Sequence, residues 1–349
     1  MIYFTYQELG IFLLYNKPYV NINQKRDLKL MESALTKTLF PEIEPFHHSF
    51  INTGNGHNIY VEQSGNPNGQ AIIFLHGGPG GGTGPKQRRF FDPEHYRIIL
   101  FDQRGCGKST PLGETLNNTT NDLIHDMESI RKELNIEEWI LFGGSWGSSL
   151  ALAYAIKFEE YTKGLILRGV FLSRKQELDW FLNEVDQFFP ELHAVLLNHK
   201  PHINKLNLVS SYVDLVFSEN LEQAKKAAVA WNTFEGSILK MMPREANENN
   251  TDIDFDFELA RAKVQLHYIK NNCFIDGEDI LKKITILKNK PVVIVQGRYD
   301  MVCPPKTAFE VAQKMPQAEV IMVPNAGHSA SEEGTLDSLI KATEKFKSL

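Results

Sequence analysis

The sequence predicts an α/β fold, in which a doubly wound, mostly parallel sheet carries an inserted helical cap. Continuous apolar runs alternate with segments of helical spacing, as expected for strands that are buried on both faces and joined by helices. A long block of helical segments then interrupts this alternation before the last strands return. Right-handed crossovers in such a sheet bring together the loops at the carboxyl ends of the strands, where ligands bind.

The predicted elements follow one another in a clear order. After the turn signal TGNG, the segment HNIYVEQSG predicts the second arm of a hairpin. Apolar runs predict strands at 71–76, 97–102, 139–144, 164–169 and 291–300, and another at EVIMVP. Helical spacing marks TTNDLIHDMESIRKELNI, SWGSSLALAYAIKF, the segment 304–315 and the tail from Glu332.

The chain is long for one ordinary domain, with 349 residues. Residues 1–40 lack a clear period and are predicted to form an N-terminal extension. We predict an α/β core at 41–172 and 287–349, with the helical cap at 173–286.

Composition excludes several classes of partner. The formal net charge is -6 and no run of lysine and arginine occurs, which argues against nucleic acid and anionic membranes as partners. The three cysteines form no CxxC pair and indicate reduced thiols in a cytoplasmic protein. The N-terminal apolar patch IFLLY is too short to span a membrane, and we predict neither a signal peptide nor an anchor. The oligomeric state stays open.

The sharpest motif is Gly-Gly-Ser-Trp-Gly at 143–147, which matches G-x-S-x-G between a predicted strand and a predicted helix. In that context the turn is so tight that the Ser145 side chain projects above the sheet, as a nucleophile requires. The alternative interpretation is a glycine-rich turn with an incidental serine. The context favours Ser145 as a catalytic nucleophile.

A serine hydroxyl needs a base, and two later residues fit the order of serine, acid and histidine that is typical of the α/β-hydrolase fold. Asp300 follows the strand PVVIVQGRYD, and His328 follows the strand EVIMVP. We predict that His328 accepts the Ser145 proton and that Asp300 orients the imidazole. Taken alone, Asp300 could be a turn residue and His328 a packing residue.

The glycine run HGGPGGG at 76–82 follows another predicted strand, in the place of an oxyanion-binding loop. We expect the N–H groups of Gly78 and Trp146 to bind the oxyanion. The alternative interpretation of the glycine run is a loop that is merely flexible. No metal or dinucleotide motif is complete. In DQRGCGKS we expect an architectural pair of Asp102 with Arg104.

Seven blocks of this sequence resemble the proline iminopeptidases, which are serine peptidases of the α/β-hydrolase fold. These blocks are PEIEPF, HGGPGGG, DQRGCGKSTP, GGSWGSSLALAYA, LRGVFLSRKQELDWF, GRYDMVCP and AGHSA. The resemblance covers residue 40 to the C-terminus and places the family triad on Ser145, Asp300 and His328. It implies removal of a free N-terminal proline from short peptides, with no metal and no cofactor.

The resemblance also implies a substrate-binding site in the cap. It assigns Glu235 to binding the substrate's terminal amine and places Cys303 beside the proline pocket. The second family glutamate is replaced here by Gln265, which supplies no charge. Two family aromatic positions carry Leu182 and Ile269.

These departures concern specificity and leave the triad intact. The alternative function is therefore an amidase, a peptidase of altered N-terminal specificity, or an esterase on small acyl substrates. A hypothesis from another class is a non-catalytic binding protein that retains the fold, although binding alone does not need the triad.

Overall fold

The computed structural model describes residues 36–242 and 253–349. Most of the predicted extension at 1–40 therefore lies outside the described residues. None of the helices in the described ranges is long and apolar enough to cross a membrane.

A single eight-stranded sheet forms the centre of the described part of the chain. Its strands are β1 (His47–Asn52), β2 (Asn58–Gly65), β3 (Gln70–Leu75), β4 (Tyr96–Phe101), β5 (Trp139–Gly144), β6 (Thr162–Arg168), β7 (Val292–Gly297) and β8 (Glu319–Val323). They lie in the order β1-β2-β4-β3-β5-β6-β7-β8. The first two strands form the predicted hairpin, β2 pairs antiparallel with β4, and all later pairings are parallel. The predicted fold class is confirmed.

The apolar runs are continuous because both faces of the sheet are covered. In β5, Trp139 and Leu141 pack into the hydrophobic cluster on one face, and Ile140 and Phe142 pack into the cluster on the other. Successive strand residues point to opposite faces, so a strand buried on both sides needs an apolar residue at every position.

Helices cover both faces of the sheet and fill the segment between β6 and β7. Before and after that segment lie α1 (Pro85–Arg88), α2 (Thr120–Glu133), α3 (Trp146–Lys157), α10 (Pro305–Lys314) and α11 (Glu333–Phe346). Between β6 and β7 lie α4 (Lys175–Asp179), α5 (Pro190–Leu197), α6 (Leu208–Val216), α7 (Leu221–Ile238), α8 (Phe255–Lys270) and α9 (Gly277–Lys283). The limits 173 and 286 of a separate cap domain stay a prediction.

Helices α4 to α8 share a hydrophobic cluster of their own, which we call the cap cluster. It contains Trp231 and Tyr212 and extends to Val302 and Cys303 in the loop after β7. Because that loop also carries Asp300, the cap cluster packs directly against the carboxyl edge of the sheet.

Candidate active site

Ser145 lies at a sharp turn between β5 and α3. Its φ of 57° and ψ of -128° place a residue with a side chain in a sparsely populated region of backbone conformation. The turn is fixed because Ser145 N donates to Arg168 O at 2.8 Å and Ser148 N donates to Ser145 O at 2.8 Å. A Cβ built on Gly147 would lie only 2.0 Å from Leu75 O, so a glycine is required where α3 approaches β3.

Asp300 and His328 form a buried hydrogen-bonded pair. His328 Nδ1 donates to Asp300 Oδ2 at 2.8 Å. The other carboxylate oxygen, Oδ1, accepts from the backbone N–H groups of Val302 at 3.0 Å and Cys303 at 2.8 Å. A carboxylate held on both oxygens fixes the imidazole ring and keeps its proton on Nδ1. Nε2 is then the atom with a free lone pair.

That lone pair is engaged by Arg168, a residue that the sequence analysis did not single out. Arg168 Nη1 donates to His328 Nε2 at 2.9 Å and to His328 O at 2.9 Å. Burial lowers the pKa of Arg168, but an arginine stays protonated in proteins and can only donate. The sequence feature that could have identified Arg168 is a lone arginine at the carboxyl end of the apolar strand β6.

Ser145 itself makes no side-chain hydrogen bond to His328 within the described residues. It lines the same pocket as Cys303. Burial, followed by the nearby Asp300 carboxylate, raises the pKa of the Cys303 thiol well above its usual range. The structure therefore gathers Ser145, Asp300 and His328 at one edge of the sheet, with Arg168 in place of the serine on Nε2.

The glycine run after β3 lies against the serine. A Cβ built on Gly77 would lie 3.2 Å from the Ser145 Cβ, so a larger residue would crowd the Ser145 side chain. In the described part of the chain, the backbone N–H groups of Gly78 and Trp146 have no acceptor. Both are therefore free to donate to an oxygen of a bound substrate.

A polar network below this loop fixes its shape. Gln103 N donates to His76 Nε2 at 3.0 Å, and Gln103 Nε2 donates to His76 O at 2.9 Å. The indole N–H of Trp146 donates to Gln103 Oε1 at 2.9 Å. Burial lowers the pKa of His76, so its ring stays neutral and Nε2 remains an acceptor. The network connects β3 to the start of α3.

A pocket opens beside Ser145, on the side of the cap. Its walls are largely apolar and include Phe171, Phe181 and Val302. Four positions singled out in the sequence also line it, namely Glu235, Gln265, Ile269 and Cys303. Leu182 packs instead in the cap cluster.

The two polar side chains Glu235 and Gln265 of this pocket each have hydrogen-bond partners. Glu235 Oε2 accepts from Arg261 Nη2 at 2.7 Å. Gln265 Oε1 accepts from Trp231 Nε1 at 2.6 Å, and Gln265 Nε2 donates to Gly78 O at 3.3 Å. Gln265 therefore connects the cap to the glycine loop.

The predicted pairing of Asp102 with Arg104 is wrong. Both terminal oxygens of Asp126 accept from Arg104 at 2.7 Å. The Asp102 carboxylate accepts from the backbone N–H groups of Thr83 at 2.6 Å and Lys108 at 2.8 Å. It thus fixes two loops, and the architectural role remains without the predicted pair.

The described residues include no cluster of three or more histidine, cysteine, aspartate or glutamate side chains that could hold a metal ion.

Comparison with known proteins identifies the class first. Residues 70–335 match the family model described as the alpha/beta hydrolase fold. A bromoperoxidase from Bacillus anthracis has a similar structure, with a TM-score of 0.57, 16% sequence identity, and coverage of 87% of this chain and 100% of that chain. The esterase RhEst1 from Rhodococcus sp. gives a TM-score of 0.56 at 17% identity, covering 88% and 99%. The chain belongs to the α/β-hydrolase fold family.

Sequence relatives identify the branch of that family. A probable proline iminopeptidase of Leptolyngbya boryana is 43% identical over 312 residues, covering 89% of this chain and 97% of the relative. The proline iminopeptidase of Arabidopsis thaliana is 42% identical, covering 90% and 83%, and that of Xylella fastidiosa is 42% identical, covering 89% and 99%. Within its fold family, the chain is a member of the proline iminopeptidases.

Proposed function

We propose that this chain is a serine aminopeptidase that releases N-terminal proline from short peptides through an acyl-enzyme on Ser145. The observation that carries the catalytic part is the buried Asp300–His328 pair, which lies at the same edge of the sheet as the turn that holds Ser145. The relatives named proline iminopeptidase support the choice of substrate.

The proposed reaction has two halves. In the first, Ser145 Oγ attacks the carbonyl carbon of the substrate's first residue and its proton passes to His328 Nε2. The oxyanion that forms accepts from Gly78 N–H and Trp146 N–H. The C–N bond then breaks, the Nε2 proton passes to the leaving amine, and Asp300 stabilises the transient imidazolium. In the second half, water gives a proton to Nε2, attacks the ester, and releases free proline as Ser145 regains its proton.

The observed hydrogen bonds impose one condition on this reaction. His328 Nε2 accepts from Arg168, and it must exchange that donor for the Ser145 hydroxyl before the proton can move. A rotation of the Ser145 side chain towards His328 and a retreat of the Arg168 guanidinium would accomplish the exchange.

Replacement of the nucleophile tests the proposal. Ser145→Ala is expected to lower kcat on prolyl-naphthylamide by at least about a thousandfold, because only oxyanion and binding effects remain. Labelling by a serine-directed phosphonate should also disappear. The exposed Ser237, on α7, provides the control, and Ser237→Ala should keep both turnover and labelling. Near-normal turnover by Ser145→Ala would refute the assignment.

A second candidate is an amidase or esterase that does not require a free amine. The observation that favours it is the ion pair of Glu235 with Arg261, which occupies the carboxylate expected to bind that amine. A panel containing prolyl-naphthylamide, its N-acetylated form and small acyl esters distinguishes the candidates. Absence of phosphonate labelling in the wild-type chain would favour a non-catalytic binding protein.

We also propose that the protein acts in the cytoplasm on short peptides. All three cysteines are free and buried, as is typical of a reducing compartment. Fractionation followed by immunodetection tests the location, and activity in a fraction outside the cytoplasm would contradict it.

A further inference from the structure

Glu235 is the one charged side chain among the described residues that line the pocket beside Ser145. It is only 6% exposed, so its charge is poorly screened by water. A cation entering this pocket would be drawn to that carboxylate. Whether the Glu235 carboxylate is free or already paired therefore decides how the pocket distinguishes a charged acyl group from a neutral one.

The carboxylate already has a cationic partner. Arg261 Nη2 donates to Glu235 Oε2 at 2.7 Å, and within the described ranges Arg261 makes no other ion pair. The Arg261 Nε is also buried without an acceptor there. Arg261 thus depends on Glu235 alone to balance its charge, and the pair is neutral as a unit.

No other group in the pocket restores a negative charge. Gln265 is neutral, its oxygen accepts from Trp231, and its amide nitrogen donates to Gly78 O. An ammonium group entering the pocket would therefore meet a carboxylate shared with a guanidinium. The two cations would repel each other across the shared carboxylate.

We propose that Arg261 is a specificity-determining residue that competes with the substrate's terminal ammonium for Glu235. The inference rests on the proposed function, in which the pocket beside Ser145 receives the first residue of the peptide. With Arg261 in place, the enzyme discriminates weakly between proline and a neutral acyl group of the same shape. Removal of the guanidinium would release the charge of Glu235 to the substrate and sharpen that discrimination.

The test compares two substrates that differ in the amine alone. Prolyl-naphthylamide carries the ring ammonium, and cyclopentanecarbonyl-naphthylamide is its neutral isostere. Arg261→Met is expected to raise the ratio of kcat/KM for the prolyl substrate to kcat/KM for the isostere by about tenfold, the scale of one charge-assisted hydrogen bond. The charge-conserving Arg261→Lys should leave the ratio near the wild-type value.

Lys263 provides the matched control on the same helix. Its ammonium lies over the Phe217 ring, 5.4 Å from the centroid, and it does not line the pocket. Lys263→Met removes the same charge from α8 and should leave the ratio unchanged. An equal rise in both variants would mean that a general field effect is responsible, and the assignment to Arg261 would fail.

A double-mutant comparison isolates the energetic coupling between Glu235 and Arg261. Glu235→Gln should lower kcat/KM for the prolyl substrate only slightly when Arg261 is present, and about ten times more in the Arg261→Met background. Equal losses in the two backgrounds would overturn the proposal. Arg261→Gln, which keeps a hydrogen-bond donor without the charge, replaces Arg261→Met if thermal unfolding shows that the methionine variant does not fold.

The outcomes separate this inference from the proposed function. If the wild-type enzyme cleaves both substrates and Arg261→Met leaves their ratio unchanged, only the role of Arg261 is wrong. If the wild-type enzyme cleaves neither substrate, the proposed function and this inference are both wrong.

Discussion

The hydrogen bond from Arg168 to His328 joins a permanent cation to the atom that the proposed reaction protonates. Nε2 accepts from the guanidinium at 2.9 Å, so the atom that must take the serine proton already has a donor. On the opposite side of the ring, Nδ1 donates to Asp300. Both ring nitrogens of His328 are therefore held by charged side chains.

Replacement of Arg168 should change turnover. In Arg168→Met, Nε2 loses the donor from which it accepts, so the Ser145 hydroxyl can bind there without an exchange. We expect kcat on prolyl-naphthylamide to rise by about tenfold, because no charge-assisted hydrogen bond has to be broken first. Steady-state kinetics measure the change.

The exposed Arg298, which also follows a strand at this edge, is the control. Arg298→Met should leave kcat unchanged. An unchanged kcat in Arg168→Met, with normal folding, would show that Arg168 only supports the backbone of the histidine loop.

The residues that the sequence predicted are those whose place follows from local pattern. Ser145, Asp300 and His328 each follow an apolar strand, and the carboxyl ends of parallel strands meet at one edge. The sequence analysis missed Arg168 because its partner His328 lies 160 residues away, and no local pattern indicates such a contact. The pairing of Asp102 with Arg104 failed for a related reason, since Asp126 reaches Arg104 from helix α2.

At the scale of elements, α8 belongs to two layers at once. Its Leu266 and Ile269 pack in the cap cluster, whereas Val264 and Tyr268 pack in the cluster under the sheet. The same helix carries Gln265 to the pocket and Arg261 to its partner Glu235. Its sequence pattern predicted a cap helix, but only the folded structure shows that it also forms part of the core.

The approach of α3 to β3 gives a prediction about packing. In Gly147→Ala the new methyl group would lie 2.0 Å from Leu75 O, so the helix must move away from the strand. We expect the free energy of unfolding to fall by about 1–3 kcal/mol, as in other overpacked cores, together with a loss of activity through displacement of Ser145. Urea titration measures the first and steady-state kinetics the second.

Gly236 in α7 offers a control for which the opposite change in the free energy of unfolding is expected. A Cβ built there meets no heavy atom within 4 Å. Gly236→Ala should therefore raise the free energy of unfolding by roughly 0.5–1 kcal/mol, because alanine loses less conformational freedom in a helix. If Gly147→Ala is as stable as the wild-type protein, the close contact of α3 with β3 is not a constraint.

At the scale of the whole molecule, one buried and two half-buried histidines make folding sensitive to acid. Burial lowers the pKa values of His76, His199 and His267 below the usual value of about 6.5. The unfolded chain therefore binds protons at a pH where the folded chain does not. The contribution of these histidines to the free energy of unfolding is fully present above about pH 6.5. It is lost as the pH falls towards their lowered pKa values in the folded protein.

Urea unfolding at pH 7.5 and pH 5.5 measures this dependence. We expect a lower free energy of unfolding at pH 5.5, and a smaller difference between the two conditions in His267→Gln. The exposed His47 provides the control, and His47→Gln should keep the wild-type difference. An equal difference in His267→Gln and the wild-type protein would contradict the role given to His267.

Strands β6 and β7 are neighbours in the sheet, yet residues 169–291 lie between them. Closing a long loop costs conformational entropy, which grows by roughly 0.6 kcal/mol for each doubling of loop length. Pairings between distant segments form slowly because this entropy is lost before the new contacts compensate for it. Ser145 precedes this closure, whereas Asp300 and His328 follow it. During refolding, recovery of activity should therefore lag behind the formation of the helices.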